Sequence, residues 1–270
     1  MRVRLEFSDV LSAVQQAERN YEMQPLSTEI SPNDDMIVAG ADWEWERRHY
    51  VSVGANALEI VFEAMILCRV AKFESILDVP SGFGRVTRHL RAAFPDATLY
   101  ASDLYQNRID FCAQALGAKP VKSKEDFAQI VYPTGFDLIW CGSLLTHLAA
   151  SEFQSALDLF SRSLNPDGIA VVTLHGRHSH YFHHNKSKYL PDESFALAER
   201  DFQNAGFGYA DYNMPGVYSE QKAYGISLSA PSYVLKCLEK DESLRVKAYV
   251  ERHWDDHQDV LIVQKTPINL

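Results

Sequence analysis

Ser75-Ile-Leu-Asp-Val-Pro-Ser-Gly-Phe-Gly84 is the stretch on which the reading of the whole chain turns. A short apolar run stops at Pro80 and two glycines, and Val86, Leu90, Ala93 and Phe94 then recur at helical spacing until Pro95. That is the pattern of a buried strand, a tight turn and a helix. Working outward, Ala97-Thr-Leu-Tyr-Ala-Ser102 reads as a second strand. A helix around 108–115, a short strand near Pro120-Val121 and the strand Phe136-Asp-Leu-Ile-Trp-Cys141 follow. Ser151-Glu-Phe-Gln154 has the pattern of a capping box, and Phe153, Ala156, Leu157, Phe160 and Leu164 mark the buried face of the helix after it. Asn165-Pro-Asp-Gly168 reads as a turn before a fifth strand, Ile169-Ala-Val-Val-Thr-Leu174. Strands alternating with helices predict an α/β domain with a mostly parallel sheet. Upstream, Val53, Ala57, Ile60, Val61, Ala64 and Cys68 predict a helix leading into it.

Downstream of Leu174 the periodicity degrades into a histidine-rich stretch, a helix over about 193–205 and a loop-like 206–221. Leu244-Arg-Val-Lys-Ala-Tyr-Val250 and Gln258-Asp-Val-Leu-Ile-Val-Gln264 are then two strands with a short polar link. A parallel crossover needs a dozen or more residues, so these two must form an antiparallel hairpin. The expected organisation is an N-terminal helical extension or lid over 1–50 and a Rossmann-like domain over 51–270. Within the latter, an acceptor-side insertion spans 175–243 after the fifth strand.

The composition bounds the function. A formal charge of −10 argues against a grip on nucleic acid, which rests on Lys and Arg neutralising phosphates. Cys68, Cys112, Cys141 and Cys237 show no C-x-x-C pairing and read as reduced core thiols. The richest apolar stretch, 55–70, carries Glu59, Glu63 and Arg69 and falls short of the roughly 18 uninterrupted residues of a bilayer span. Met1-Arg-Val-Arg-Leu-Glu-Phe-Ser8 lacks the apolar core and cleavage site of a secretory signal. A cytoplasmic protein with no membrane or nucleic-acid partner is expected.

The glycine turn lets backbone approach a ligand, although such a turn also serves tight packing. Asp103, at the end of the second strand and 21 residues beyond Gly82, can accept hydrogen bonds from ribose hydroxyls or act as a turn residue. Together, at the carboxyl edge of adjacent strands, the two point to a nucleoside. Leu77-Asp-Val-Pro-Ser-Gly-Phe-Gly84, Ser102-Asp103, Phe136-Asp-Leu-Ile-Trp-Cys-Gly-Ser143 and Leu164-Asn-Pro-Asp-Gly168 resemble the ordered motifs of class I S-adenosylmethionine-dependent methyltransferases. The first motif departs from that family's pattern in having Pro80 where a glycine is usual. The resemblance covers about 53–174 and implies a seven-stranded sheet ending in an antiparallel hairpin, with S-adenosylmethionine as cofactor. It gives Asp78, Pro80, Ser81, Gly82 and Gly84 to the methionine part, Asp103 to the ribose, and Leu104 and Asp126 to the adenine. Cys141, Gly142 and Ser143 would stand near the transferred methyl. Competing readings are a non-catalytic domain binding the same nucleoside and a nicotinamide-dependent oxidoreductase, whose third glycine would fall at Thr87.

An oxygen acceptor would need a base. His147, six residues beyond Cys141, is one candidate, or else a helix-start histidine bonded to backbone. His175-Gly-Arg-His-Ser-His-Tyr-Phe-His-His184 holds five of the ten histidines and admits three readings: a metal site, a base through His175 or His178, or a mobile loop. No Asp, Glu or Cys interleaves with them, so no metal is expected. In the hairpin link Trp254, His253 and His257 either contact the acceptor or pack the turn. Tyr224-Gly-Ile-Ser-Leu-Ser229 with Trp254-Asp-Asp-His-Gln-Asp-Val260 is similar to bacterial methyltransferases of sugar and polysaccharide modification, which implies a small, sugar-like acceptor. There is no Asn/Asp-Pro-Pro-Tyr and no Pro-Cys motif of the DNA-base enzymes, and Asn213-Met-Pro-Gly216 is out of place for the former. Oligomeric state is not legible.

Overall fold

The computed structural model describes residues 5–37, 42–212 and 224–266. Its centre is Ser75–Asp78 (β1), short and buried, hydrogen-bonded in parallel to Thr98–Asp103 (β2) on one side and Phe136–Cys141 (β4) on the other. Lys119–Lys122 (β3) lies beyond β2, and Leu164–Leu174 (β5) lies beyond β4, both parallel. Leu244–Trp254 (β8) and Gln258–Lys265 (β9) complete a seven-stranded sheet of order β3-β2-β1-β4-β5-β9-β8. β9 is antiparallel to both its neighbours, with Val171 opposite Ile262. The chain runs outward from β1 to β3 and then returns to β4, so the order reverses between β1 and β4. In an open α/β sheet that reversal leaves a crevice beyond the carboxyl ends of the strands.

Alternating side chains feed two cores, one on each face. Ile76, Leu138 and Trp140 pack with Trp43–Cys68 (α2) and Thr87–Ala93 (α3), and with Cys112 and Leu116 of Gln106–Leu116 (α4). Leu77, Ile139 and Cys141 pack with Ala150–Ser163 (α5) and Pro231–Leu238 (α8). All four cysteines are free and buried.

α2 starts ten residues before the apolar periodicity does. Asp42 caps it, its carboxylate accepting from the backbone N–H of Glu44 (2.9 Å) and Trp45 (3.2 Å), so Trp43-Glu-Trp-Glu46 forms the helix's first turn. A boundary at 50/51 therefore falls inside a continuous helix. α2 is long and apolar enough to cross a bilayer by length and composition. Its buried stripe, including Val53, Ala57, Val61 and Ala64, belongs instead to the core over the sheet. Phe7–Met23 (α1) packs beside it through Val10, Val14 and Ala17.

Three local expectations are corrected. The capping box does not form: Ala149 is the extended cap residue of α5, and Ser151, already in the first helical turn, bonds Glu152 at 2.7 Å. Asn165-Pro-Asp-Gly168 is a bulge within β5, because pairing steps from Phe136–Leu164 to Leu138–Ile169 while Asp167 takes φ 67°. The hairpin link is only 255–257, since β8 continues to Trp254, and left-handed Asp255 and Asp256 close it.

The insertion is more regular than its sequence. The histidine-rich run, for which a mobile loop was one reading, is the helix Arg177–Asn185 (α6), followed by Asp192–Ala205 (α7). Its buried face is Ser179 and His183 rather than aliphatic, which hides the period. Phe207–Asp211 (β6) pairs antiparallel with Gly225–Ser229 (β7) in a separate two-stranded sheet, part of which had read as loop. Leu190, Phe195, Ala198, Ile226 and Leu228 form a third small core there. Asn213-Met-Pro-Gly216 lies outside the described residues.

Candidate active site

The β1 turn is built by close contacts. Gly84 sits at φ 80°, a left-handed conformation that side chains rarely adopt, so glycine suits this turn; a Cβ there would also press on Leu116 and Cys112 of α4. Gly82 is also left-handed (φ 51°) and donates its N–H to Asp103 Oδ2 at 3.1 Å. Asp103 Oδ1 accepts from Tyr105 N at 3.0 Å, and Arg108 Nη1 stands 3.6 Å from Oδ2. Asp103 thus joins the first turn to the second strand end, combining a turn role with a place on the crevice. Burial pushes its carboxyl above the ordinary value, against the opposing pull of Arg108 and the backbone donors. Asp78, fully buried, accepts from Thr87 Oγ1; burial pushes its pKa up to about 7, with Asp103 adding and Thr87 opposing.

Two adjoining lobes open along this edge and share Pro80, Asp103, Arg108 and Tyr224. The first is mainly apolar, with Leu104, Tyr105, Phe127 and Leu148 around Ser123 and Glu125. The second is more polar, with Asp78, Ser81, Gly82, Arg85, Gly142 and Ser143 beside Trp140 and Trp254. A long ligand with an aromatic ring at one end, a diol near Asp103 and a charged amino-acid group at the other fits this pair.

The N-terminal segment reaches over the second lobe. Arg88, 2% exposed, donates to the carbonyls of Ser27 and Glu29, both at 2.8 Å, and stands 3.4 Å from Tyr50 Oη. Tyr50 in turn donates to Asp34 at 2.8 Å, and Arg108 pairs with Asp35 at 2.8 Å. Asp34, Asp35 and Met36 consequently line the lobe. None of Arg85, Arg88, Arg108, Tyr50 or Asp34 stood out in the sequence, because each acts across a long sequence separation.

From the other side come β4 and β5. Gly142 lines the second lobe; a Cβ there would lie 2.9 Å from Trp140 Nε1 and 3.0 Å from Trp254. Ser143 (φ 55°) donates its N–H to Thr173 Oγ1 at 2.8 Å and accepts from Gln258 at 2.8 Å. Trp254, 3% exposed, reaches the same lobe while its indole N–H donates to Val53 O at 3.1 Å, and Arg85 lies 5.4 Å over its ring.

His147 also lines that lobe. Its Nδ1 is 2.8 Å from the carbonyl of Gly225, so Nδ1 carries the proton and Nε2 keeps its lone pair. Tyr224 stacks on the ring at 4.7 Å between centroids. Burial pushes its pKa down to about 4, against the Gly225 bond, so the imidazole is neutral near pH 7.

The remaining sequence candidates separate from this group. Cys141 points into the core, lining neither lobe. Asp126 caps a 3₁₀ turn, accepting from Ala128 N (3.0 Å) and Gln129 Nε2 (2.8 Å); its neighbours Ser123, Lys124, Glu125 and Phe127 line the first lobe instead. His175 is 4% exposed and lies outside both lobes, stacked on Tyr189 at 5.0 Å. His178 and His257 line a third, outer cavity between α6 and the β8–β9 turn. His253 faces away, bonded to Glu63 of α2 at 2.7 Å.

Residues 77–170 match the family described as Methyltransferase domain. Among solved structures, the fold is similar to a S-adenosylmethionine-dependent methyltransferase from Clostridium acetobutylicum ATCC 824 (16% identity, TM-score 0.53, covering 86% of this chain and 96% of that one). It is also similar to CalS10, an amino pentose methyltransferase from Micromonospora echinaspora (14%, 0.53, 85% and 98%). A third likeness is to DesVI of Streptomyces venezuelae (16%, 0.51, 80% and 92%). Residues 77–170 are thus matched in sequence to a methyltransferase domain, the seven-stranded sheet has the strand order of the class I S-adenosylmethionine-dependent methyltransferase fold, and S-adenosylmethionine is the methyl donor.

Proposed function

We propose that the enzyme methylates a hydroxyl of a small, sugar-like acceptor, with His147 as the general base. The observation that carries this reading is the fixed tautomer of His147: Gly225 O holds the Nδ1 proton, and Nε2 is left as an acceptor at the polar lobe. The donor supplies a methyl on sulfonium, which is already electrophilic, so the chain's task is to position the partners, exclude water and take up one proton. Asp78 and Arg85 in the second lobe complement the ammonium and carboxylate of an amino-acid group, Asp103 the ribose diol, and Leu104 and Phe127 the base. Ser81, Gly82, Gly142 and Ser143 close the lobe around the same group.

At the acceptor side, Tyr224 and His147 present a flat face beside a lone pair, a surface suited to a polyhydroxylated ring. The relative that acts on an amino pentose fits an acceptor of that size. A panel of hydroxylated and aminated sugars, with purified enzyme and donor, tests the class. On the acceptor so found, His147→Ala should lower kcat by about 10²–10⁴-fold. Calorimetric affinity for S-adenosylhomocysteine should hardly change. Full turnover by this variant would remove His147 from the mechanism, and methylation confined to amines would remove the oxygen acceptor.

A further inference from the structure

On the outer side of the insertion, His180 and His184 stand four residues apart on α6, one helical turn, so both imidazoles project from one face. Glu199 of α7 meets them: its Oε1 is 2.7 Å from His180 Nε2 and 3.0 Å from His184 Nε2. The three ligand atoms lie within 4.8 Å of one another. Each residue is partly open to solvent, at 26%, 41% and 26% side-chain exposure, so an ion in water can reach them.

We propose that His180, His184 and Glu199 form a binding site for a zinc-class divalent ion that joins α6 to α7. Two imidazole nitrogens and one carboxylate oxygen suit zinc, cobalt or nickel, and not magnesium or calcium, which favour all-oxygen shells. In a tetrahedral site with bonds of 2.0–2.1 Å, neighbouring ligand atoms stand about 3.3 Å apart. The two hydrogen-bonded contacts, 2.7 and 3.0 Å, are shorter than that by about half an ångström on average, so modest side-chain rotations open the position. Two N–H groups converge on one carboxylate oxygen without metal; to ligate, each neutral imidazole shifts its proton to Nδ1 and offers the Nε2 lone pair, and one positive centre takes the place of the two hydrogen bonds. Three protein ligands leave a coordination position for water.

The cluster lies apart from the His178–His257 cavity, and the two make separate predictions. The test uses tag-free full-length protein, stripped with chelator, and titrated with ZnCl₂ by calorimetry, with melting followed in parallel. The expected result is one tight equivalent and a raised Tm. Glu199→Gln and His184→Ala, checked for native circular dichroism, should each weaken zinc binding at least tenfold and lose the Tm rise. His178→Ala should keep both. No stoichiometric binding by the wild type, equal binding by the cluster variants, or loss only in His178→Ala would each overturn the site.

Discussion

At the β1–β2 end of the crevice, Asp78, Gly82 and Asp103 come from one stretch of chain, and their hydrogen bonds run within it. At the β4–β5 end, Ser143, His147, Tyr224 and Trp254 come from segments that meet only after the hairpin and the insertion have docked. The first end is charged and carries buried carboxylates; the second is neutral and carries buried imidazoles. The β1–β2 end, proposed for the cofactor, is therefore fixed mainly by local folding, whereas the β4–β5 end, proposed for the acceptor, depends on long-range packing around uncharged histidines. Acid, mutation and ligand should then act differently on the two ends.

Acid should produce the largest difference. His147 folds with its pKa lowered to about 4, and burial holds His175 well below 6.5. The unfolded chain takes up protons through pH 6.5 while these folded groups stay neutral, so their contribution to stability is whole above pH 7 and falls as pH drops toward 4. For His147 the loss is about 2 kcal/mol, discounted because the ring borders the cavity. His89, buried against α2 and pushed to about 3, adds its own loss on the cofactor side. Denaturant unfolding at pH 7 and 4.5 should show a smaller fall for His147→Gln than for wild type, with His89 common to both. Identical falls would mean that His147 titrates normally.

Next in size is Asp103→Ala, which acts at the opposite end. Charge-assisted bonds to ribose hydroxyls are worth about 1.5–3 kcal/mol each, but Asp103 already accepts from Gly82 and Tyr105, so only the surplus is gained on binding. Affinity for S-adenosylhomocysteine should fall at least roughly tenfold, with the fold kept. An unchanged affinity would reduce Asp103 to its turn role. A smaller signal comes from Asp78, whose pKa burial pushes up to about 7, with Asp103 adding and Thr87 and Arg85 only partly opposing. An ammonium group brought beside it restores the carboxylate, so binding near pH 6 should release up to one proton. Calorimetry in buffers of different ionisation heat reads this directly, and no buffer dependence would separate Asp78 from the ammonium.

What could be read from the sequence follows the same division. β1 to β5, the glycine turn and Asp103 are written in adjacent residues, since a strand buried on both faces and a left-handed turn leave local marks. The antiparallel hairpin followed from link length alone. The helix α6 left no such mark, because its inward positions are Ser179 and His183, and the polar composition read as loop. Arg88 tying 27–29 to α3, and Arg85 over Trp254, are contacts between distant segments that no periodicity encodes. Cys141 and Asp126 went astray for a related reason. A motif places the backbone, but the alternation of β4 turns Cys141 inward, and the 3₁₀ turn engages the Asp126 carboxylate.

His253 gives the smallest expected effect and the sharpest limit on the comparison. It follows Arg252, whose φ of 57° breaks the strand's regular alternation just before the turn. The imidazole is thereby directed across to Glu63 of α2, while the next residue, Trp254, turns inward beneath Gly142. The Glu63 pair is half exposed, so it contributes roughly 0–1 kcal/mol. His253→Ala should consequently leave kcat, KM and cofactor affinity at wild-type values and shift stability by no more than that. Trp254→Ala, one residue on, removes a buried indole bonded to Val53 and lining the polar lobe, and should lower both stability and turnover. Comparable losses of turnover in the two variants would mean that the whole turn, and not its inward-facing tryptophan alone, belongs to the acceptor side.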